Sequence, residues 1–503
     1  MSTKPGSVAA SRMLLLSKIL FFGVLFLWIG LQFGLKRILI FSYAPDLGGF
    51  ERNVIWGIQQ IMLGKPLYTN PDAAPFAIIQ YMPAYYYLVA TIGKILSIDP
   101  LNAHSVYSLA RCFNALLSLG SVFLLYRMAT RHFRIPNSIA IFISSLAFLW
   151  MEAFTISGRP DCFKGFVFQC VIYVLLQYPS KRKRLIFPLA MMLSVLAFFT
   201  KQDGLVFCAI LPAVLFLQKE WKQMLVTGLG MALALAVVFS LFQFGTNGDF
   251  VRNVLGGLNN GISISWFVGA FDGYFSVMAV LFGLALVMSL EFAFEKNYAL
   301  HVLAAGFVFS FFPQLLFSLK YGSGPNYFLE CTFISLLFLG IMLHRLSLKA
   351  IFQHPFTHYL LGAAVLVMLF LTSSFHWFTG GFLHQERELK AKYAQQKEVV
   401  AWLHKNASKP DFKTLVLINR QWEDHTTTLL ADHIVAPCRD VSIQVFNAKK
   451  QTGFGPLKSV VESGQVDFIV TDGSSISPFL KFDYSRYHQV AEIGGYNIFT
   501  PRK

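Results

Sequence analysis

The sequence predicts an α-helical polytopic membrane protein of about eleven transmembrane helices, closed by a small C-terminal extracytoplasmic α/β domain. Three observations carry that expectation. Apolar runs long enough to cross a bilayer recur from Met13 to Phe378, and a helical span needs about 20 such residues. Hydrophobic residues make up 55% of the chain and charged residues only 14%, where a soluble domain carries about 25% charged residues. Beyond Gly380 the long apolar runs stop, and amphipathic and short-strand patterns replace them.

The first element is the run Met13–Leu35. It is too long for a signal-peptide core and lacks a clear small-residue cleavage site, so it reads as a first span rather than a removed leader. The formal net charge of +16 fits membrane topology, because Lys and Arg gather in cytoplasmic loops. No basic stripe with interleaved aromatics lies on a soluble face, so no nucleic-acid partner is expected.

The basic clusters order the remaining spans. They are Arg127, Arg131 and Arg134, then Lys181 to Arg184, Lys219 with Lys222, Lys296, and Arg345 with Lys349. If all are cytoplasmic, an even number of spans separates each from the next. Ser138–Ser157 goes out and Phe163–Tyr178 returns. Leu185–Thr200 goes out and Leu205–Leu217 returns. Met224–Phe244 and Phe267–Phe294 make the next pair, followed by Ala299–Leu319 and Tyr327–Leu343. Tyr359–Phe378 leaves for the last time. The N-terminal tail, with Lys4 and Arg12, is then cytoplasmic, and the C-terminal part lies outside.

Met13–Leu35 leads out and Ser105–Met128 must return, so the apolar stretch Pro83–Ile98 between them breaks parity if it spans. It is short and carries Lys94, and Tyr85, Tyr86 and Tyr87 suit a helix lying at the membrane interface. Residues 36–104 therefore read as one long extracytoplasmic loop within a transmembrane part covering 1–380. In the part covering 381–503, Glu386–Lys405 reads as an amphipathic helix. Thr414–Leu417, Asp467–Val470 and Tyr496–Phe499 read as strands bounded by turn residues. Six cysteines are scattered, only Cys438 in the tail, so no disulfide forms inside that part and no CxxC pair suggests zinc. Asn406-Ala-Ser408 fits a glycosylation sequon, a triplet that also arises by chance.

The residues that bear chemistry fall in the outer loops. The long first loop is unusual, since most connections are short. It contains PDLGGFERN, where Gly48 and Gly49 allow a tight turn that brings Asp46 and Glu51 together. Either carboxylate suits a general base toward an acceptor hydroxyl or amine; either equally suits a helix N-terminus. In the second outer loop Arg159 and Asp161 form an interfacial ion pair or face the same outer cavity. In the third, TKQDG, Lys201 either snorkels to headgroups or neutralises the phosphate of a lipid-linked substrate. Arg111, near the outer end of its span, is a similar candidate. The fifth, KYGSGPNYFLE, has the glycines and proline of irregular backbone lining a cavity, and its Asn326 and Tyr327 suit hydrogen bonds to a sugar. Glu330 begins the next span. His354 and His358 have HxxxH spacing but enclose Pro355 in a cytoplasmic loop and read as chance. No HExxH, Walker A or GxSxG motif occurs.

Taken in order, an acid in the first outer loop, G-x-P-L-Y, Y-x-P-x-x-Y, R-x-D, T-K-Q and G-x-x-x-N-Y resemble the GT-C glycosyltransferase superfamily. The nearest branch is that of the bacterial relatives of protein O-mannosyltransferases and the lipid A aminoarabinose transferase. The resemblance covers about Pro45 to Glu330. It implies a GT-C fold and a glycosyltransferase, hexosyl or pentosyl, taking sugar from a polyprenyl-phosphate donor to a glycan, lipid or protein acceptor outside the cell membrane. By spacing it implies Glu51 as the loop acid. Where the family often has an Asp-Glu pair, this chain has Phe50-Glu51, which leaves Asp46 as supplier of the second carboxylate or as the base itself. It implies Lys201 at the donor phosphate, where Arg111 stands as the further candidate read from its place in the span, and Asp161, Arg159, Tyr81, Tyr85, Asn326 and Tyr327 at the substrate. Pro83 matches the interface segment. Some members need a divalent cation, Mg or Mn, for which Asp46, Glu51 and Asp161 are the candidate ligands.

Two other functions fit a polytopic chain. A transporter or lipid flippase tends to show internal repeats and charged or broken helices at the midplane, whereas no repeat is visible here and the acids cluster at one face. A non-catalytic assembly subunit presenting its tail predicts that the loop carboxylates are dispensable.

Overall fold

The computed structural model describes residues 5–47, 49–150, 156–178, 183–257, 261–347, 359, 362–363, 382–418, 424–437, 455–472 and 482–502. Among them, six helices are long and apolar enough to cross a membrane: α1 (Pro5–Ile40), α4 (Ala103–Arg131), α9 (Trp221–Gly245), α11 (Ile264–Phe294), α12 (Tyr298–Phe317) and α13 (Leu329–Ser347), the last entered through a 3₁₀ turn at Pro325–Phe328. Shorter helices stand among them: α5 (Asn137–Trp150), α6 (Asp161–Leu176), α7 (Lys183–Thr200), a 3₁₀ helix Gln202–Ala209 running into α8 (Ile210–Leu217), and α10 (Asp249–Gly256). The chain is a multi-pass membrane protein. The eleventh expected span, Tyr359–Phe378, lies outside the described residues but for three positions, as do Gly48, Lys181, Arg182, Lys349, His354, His358 and Cys438.

The helices differ in what they face. In α9 only Thr227 and Met231 are buried, while Leu225, Leu229 and Leu233 are exposed. A helix apolar on every side and bare toward solvent suits lipid. In α13 burial runs from Leu329 to Ile341, which makes it a central post.

The first connection runs over residues 41–102, because α1 continues to Ile40 and α4 begins at Ala103. Lys36, expected in the loop, is a buried helical residue with its ammonium over the Phe148 ring at 4.6 Å. The connection holds α2 (Glu51–Met62) and α3 (Pro83–Ile95). α3 is about 20 Å long at 1.5 Å per residue, too short to span, which agrees with parity. Pro83 starts it, as proline suits the first turn. Its Tyr85 and Tyr86 pack inward while Tyr87 and Ile95 stay exposed. Gly57 of α2 lies so close to the Tyr86 ring that a Cβ there would meet it at 2.7 Å.

A second glycine sets the joint between α7 and the 3₁₀ helix. Lys201 is extended (φ −155°, ψ 140°), and a Cβ on Gly204 would overlap the main-chain carbonyl of Ala197. Backbone cannot swing aside as a side chain can, so Gly204→Ala is expected to destabilise the protein by about 3 kcal/mol, read as a fall in thermal midpoint in detergent. An unchanged midpoint would refute this account of the joint.

The C-terminal part begins with α14 (Phe382–Asn406) and contains a four-stranded sheet in the order β1 (Thr414–Leu417), β2 (Phe468–Thr471), β4 (Tyr496–Pro501), β3 (Tyr487–Ile493). β1 and β2 are parallel; the other pairings are antiparallel. β1 and β2 are buried throughout, as fully covered strands are. β3, unforeseen in the sequence, is an edge strand with only Tyr487 buried, so its residues show no clean apolar alternation. Gly494 and Gly495, both at positive φ, make the tight hairpin turn that joins it to β4.

This part is fastened to α2. Arg52 meets Asp424 at 3.1 Å. The Trp56 indole N–H donates to the Ala431 carbonyl (3.1 Å), and the Gln59 and Gln60 amides donate to the carbonyls of Thr428 (2.8 Å) and Ala431 (2.7 Å). These four residues share one face of α2 at helical spacing. Ser42 Oγ and the Tyr43 N–H donate to Glu386 at 2.6 and 2.7 Å. One apolar core runs from Val54 and Ile58 to Val399, Leu403 and Val416.

Candidate functional site

Five connections that parity assigns to the outer face meet at one end of the bundle, around a cavity of about 440 Å³. The first brings Gln80 and Tyr81, the second Arg159, and the third Lys201, Gln202 and Asp203. Ile262 comes from the fourth, and Lys320, Asn326 and Tyr327 from the fifth. Polar groups join them: the Gln202 amide donates to the Gln80 carbonyl, and Arg159 Nη2 donates to the Tyr81 hydroxyl at 3.2 Å.

From the cavity wall inward runs a ladder of alternating charge. Arg159 meets Asp161 at 3.2 Å, and Asp161 meets Lys201 at 2.7 Å. Lys201 lies 3.6 Å from Asp203, Asp203 lies 2.7 Å from Lys164, and Lys164 lies 3.2 Å from Glu330. Every member is buried. Charges this deep persist only when paired and hydrogen-bonded. Asp161 accepts a further bond from the Asn326 amide at 2.7 Å, and the Lys201 ammonium stands 4.2 Å over the Tyr327 ring. Arg159, Lys201 and Lys164 thus alternate with Asp161, Asp203 and Glu330 along the ladder.

Lys320 is different. Among the described residues no carboxylate lies within ion-pair distance of it. Burial, helped by the like charge of Lys201 and opposed by Asp203, pushes its ammonium down to about 8. Sequence reasoning quoted its loop yet passed over both Lys320 and Asp203. The available signal was a charge held between two spans on the acid-bearing face.

The two rival carboxylates of the first connection have separate surroundings. Glu51 is fully buried at the start of α2. Arg111 grips it with two bonds, Nε to Oε1 at 2.8 Å and Nη2 to Oε2 at 2.9 Å. The N–H groups of Leu47 and Gly158 also donate to it. Arg111 in turn donates to the carbonyls of Ser42 and Ala44. It is wholly enclosed and does not line the cavity, so the donor-phosphate position expected for it is not where the fold puts it. Tyr85 likewise sits in the core at zero exposure, away from the cavity that Tyr81 lines.

Asp46 is not among the cavity-lining residues either, but it keeps part of its surface open and feels the charge of Arg159, which does line the cavity. Its carboxylate accepts the Glu51 N–H at 3.3 Å, so the helix-end alternative holds in part. Burial, then the Glu51 charge, push it up to about 6, against the pull of Arg52 and Arg159. The turn that brings it there uses two left-handed residues, Gly49 (φ 76°) and Phe50 (φ 61°). For a non-glycine such a conformation costs on the order of 1 kcal/mol, and Phe50 lines the cavity.

The three acids proposed for a divalent cation do not fit one in this arrangement. Both Glu51 oxygens are taken by Arg111 and main-chain N–H groups. Both Asp161 oxygens face Lys201, Asn326 and Arg159. Among the described residues no group of three His, Cys, Asp or Glu side chains is placed to hold a metal.

No family model matches the chain, and no curated protein matches it. Among solved structures, ArnT from Cupriavidus metallidurans bound to undecaprenyl phosphate is similar, with a TM-score of 0.58 at 14% identity over 94% of this chain and 97% of that one. The Archaeoglobus fulgidus oligosaccharyltransferase in complex with Zn and sulfate is similar with a TM-score of 0.54 at 12% identity, over 90% of this chain and 68% of that one. Its apo form gives 0.53 at 12% identity, over 90% and 70%. The likeness is one of architecture: the chain has the GT-C fold that the motif order implied.

Proposed function

We propose that the protein is a glycosyltransferase that moves a hexosyl or pentosyl group from a polyprenyl-phosphate donor to a glycan, lipid or protein acceptor at the extracytoplasmic face of the cell membrane. The N-terminus is then cytoplasmic, 1–380 is the catalytic part, and 381–503 an extracytoplasmic domain. The observation that carries this reading is the cavity itself. Arg159, Lys201 and Lys320 line it, while Ile262, Leu316 and Phe317 combine cavity lining with strong exposure. Cations beside an apolar, lipid-facing rim suit a phosphate carried on an isoprenoid chain. The architecture supports it, since ArnT of the same fold binds undecaprenyl phosphate.

The chemistry follows from charge. The acceptor oxygen or nitrogen attacks the anomeric carbon, the bond from that carbon to the phosphate oxygen breaks, and the acceptor proton passes to Asp46. The leaving polyprenyl phosphate gains one negative charge. Cations fixed beside it therefore act more strongly in the transition state than in the ground state, which is what accelerates a reaction. Lys201, oriented by Asp161 and Asp203, and Lys320 take that role. Asn326, Tyr81 and Tyr327 suit the sugar. Glu51 and Arg111 act as the buried pair that fixes the loop. No step is routed through a metal.

Mass spectrometry of envelope glycolipids and glycans in a deletion strain tests the function. One glycan or glycolipid should lose a sugar and regain it with the wild-type gene; an unchanged envelope would refute the reading. Lys320 gives a sharper test. Because its charge is lost near pH 8 rather than above 10, affinity of the purified protein for undecaprenyl phosphate should fall about tenfold from pH 7 to 9, the worth of one charged hydrogen bond. Lys320→Met should bind weakly at both values and lose that dependence. An equal fall in the variant would exclude Lys320 as the phosphate partner.

A further inference from the structure

Lys164 and Glu330 form the inner end of the ladder. Both are wholly enclosed, and neither lines the cavity. A buried ion pair gives little net stability, so their pairing at 3.2 Å does not by itself account for two enclosed charges. The other side of Lys164 does. Asp161 and Lys164 lie in the first turn of α6, at the i, i+3 spacing that puts two side chains on one face. Opposite them stand Lys201 and Asp203. Two rungs result, Asp161 with Lys201 at 2.7 Å and Lys164 with Asp203 at 2.7 Å.

The two rungs meet at one atom. Both lysines approach Asp203 Oδ2, Lys164 at 2.7 Å and Lys201 at 3.6 Å. The second oxygen, Oδ1, accepts no hydrogen bond among the described residues. Lys164 therefore holds Asp203 by the oxygen that Lys201 would otherwise take. Lys201 is left with Asp161 as its close carboxylate among the described residues. Lys201 and Asp203 both line the cavity. A direct bond between them would spend the ammonium on the wall instead of on an anion inside.

We propose that Lys164 is a positioning residue for Lys201, acting through Asp203: it occupies Asp203 Oδ2 and leaves the Lys201 ammonium to an anion in the cavity. Glu330 holds Lys164 in turn. This inference rests on the reading of Lys201 as the cation at the donor phosphate, and it is tested by binding alone.

Lys164→Met removes the competitor. Asp203 then closes on Lys201 and turns an uncompensated negative charge toward the cavity, so an anion binds less well. Adding Asp203→Asn removes that charge and should restore binding, although the ladder has then lost a further ion pair. The probes are undecaprenyl phosphate and undecaprenol, which share the isoprenoid chain and differ in the phosphate. Affinity for each is measured on full-length protein in detergent. The wild type should prefer the phosphate. That preference should fall about tenfold in Lys164→Met, the worth of one charged hydrogen bond, and most of it should return in Lys164→Met with Asp203→Asn. Affinity for undecaprenol should stay constant throughout. If Lys164→Met fails to fold because Glu330 is left buried and unpaired, Lys164→Met with Glu330→Gln neutralises both partners and is compared with the same protein carrying Asp203→Asn. A merely structural lysine would weaken both probes alike or change only the thermal midpoint, and either result overturns the proposal. A lost preference that Asp203→Asn does not restore overturns it as well. In each of these cases a wild type that prefers the phosphate keeps the functional reading intact. A wild type with no such preference would overturn that reading together with this one.

Discussion

With Asp46 as the proposed base, Asp46→Asn is expected to lower sugar transfer about 10³-fold in rate and to leave the protein folded in the membrane. The amide keeps the size of the side chain and can still accept the Glu51 N–H, so α2 keeps its start. What it lacks is the ability to take a proton. The measurement is transfer rate in purified protein, with thermal midpoint as the control for folding; a fully active Asp46→Asn protein would end this assignment of the base. The pH profile gives a second view. Asp46 must be ionised to act, so activity should rise with pH through about 6. Lys320 must be charged to bind, so activity should fall again through about 8. A normal carboxylate would place the lower limb near 4, which separates the two cases cleanly.

Glu51→Gln should behave differently, because the loss is one of stability as much as of rate. It leaves the Arg111 guanidinium buried beside a neutral amide. Breaking a buried pair by removing one partner costs about 3–5 kcal/mol. The thermal midpoint should therefore drop sharply, and activity with it. The test of this reading is a double-mutant cycle. Glu51→Leu with Arg111→Leu removes both charges, and replacing a whole buried pair by apolar groups is often tolerated. The double variant should be more stable than either single one. If the three variants lose stability additively, the pair is not coupled and Glu51 regains its claim to a direct part in the chemistry.

Much of the fold was legible because it follows from solvent. Apolar run length and the placement of Lys and Arg separated spans from loops, and excluded Pro83–Ile98 as a span. The five outer connections that parity groups together are the ones that meet at the cavity. The layout of the candidate site was half legible. Asp161, Lys201 and Asn326 were named from their loops, and they touch. Arg111 was misplaced because its partner is 60 positions away on another element, and no local spacing encodes that distance. The choice between Asp46 and Glu51 turns on burial, which sequence does not contain when both lie in one loop. Lys320 was missed for a related reason: a lysine at a membrane end is common, and what sets it apart is that no carboxylate among the described residues lies within ion-pair distance. β3 escaped because an edge strand has little apolar surface to declare itself.

The fastening of α2 by the C-terminal part also fixes an order of assembly. Ser42 and Glu386 are 344 positions apart, and Arg52 and Asp424 are 372 apart. A ribosome adds about 5–20 residues per second, so the first connection waits on the order of half a minute before its partner residues exist. Until then Arg52, Trp56, Gln59 and Gln60 have nothing from the tail to bind. These contacts of α2 are complete only once the chain has been made as far as Ala431, so the finished chain, and not the membrane bundle alone, holds α2 in the arrangement described.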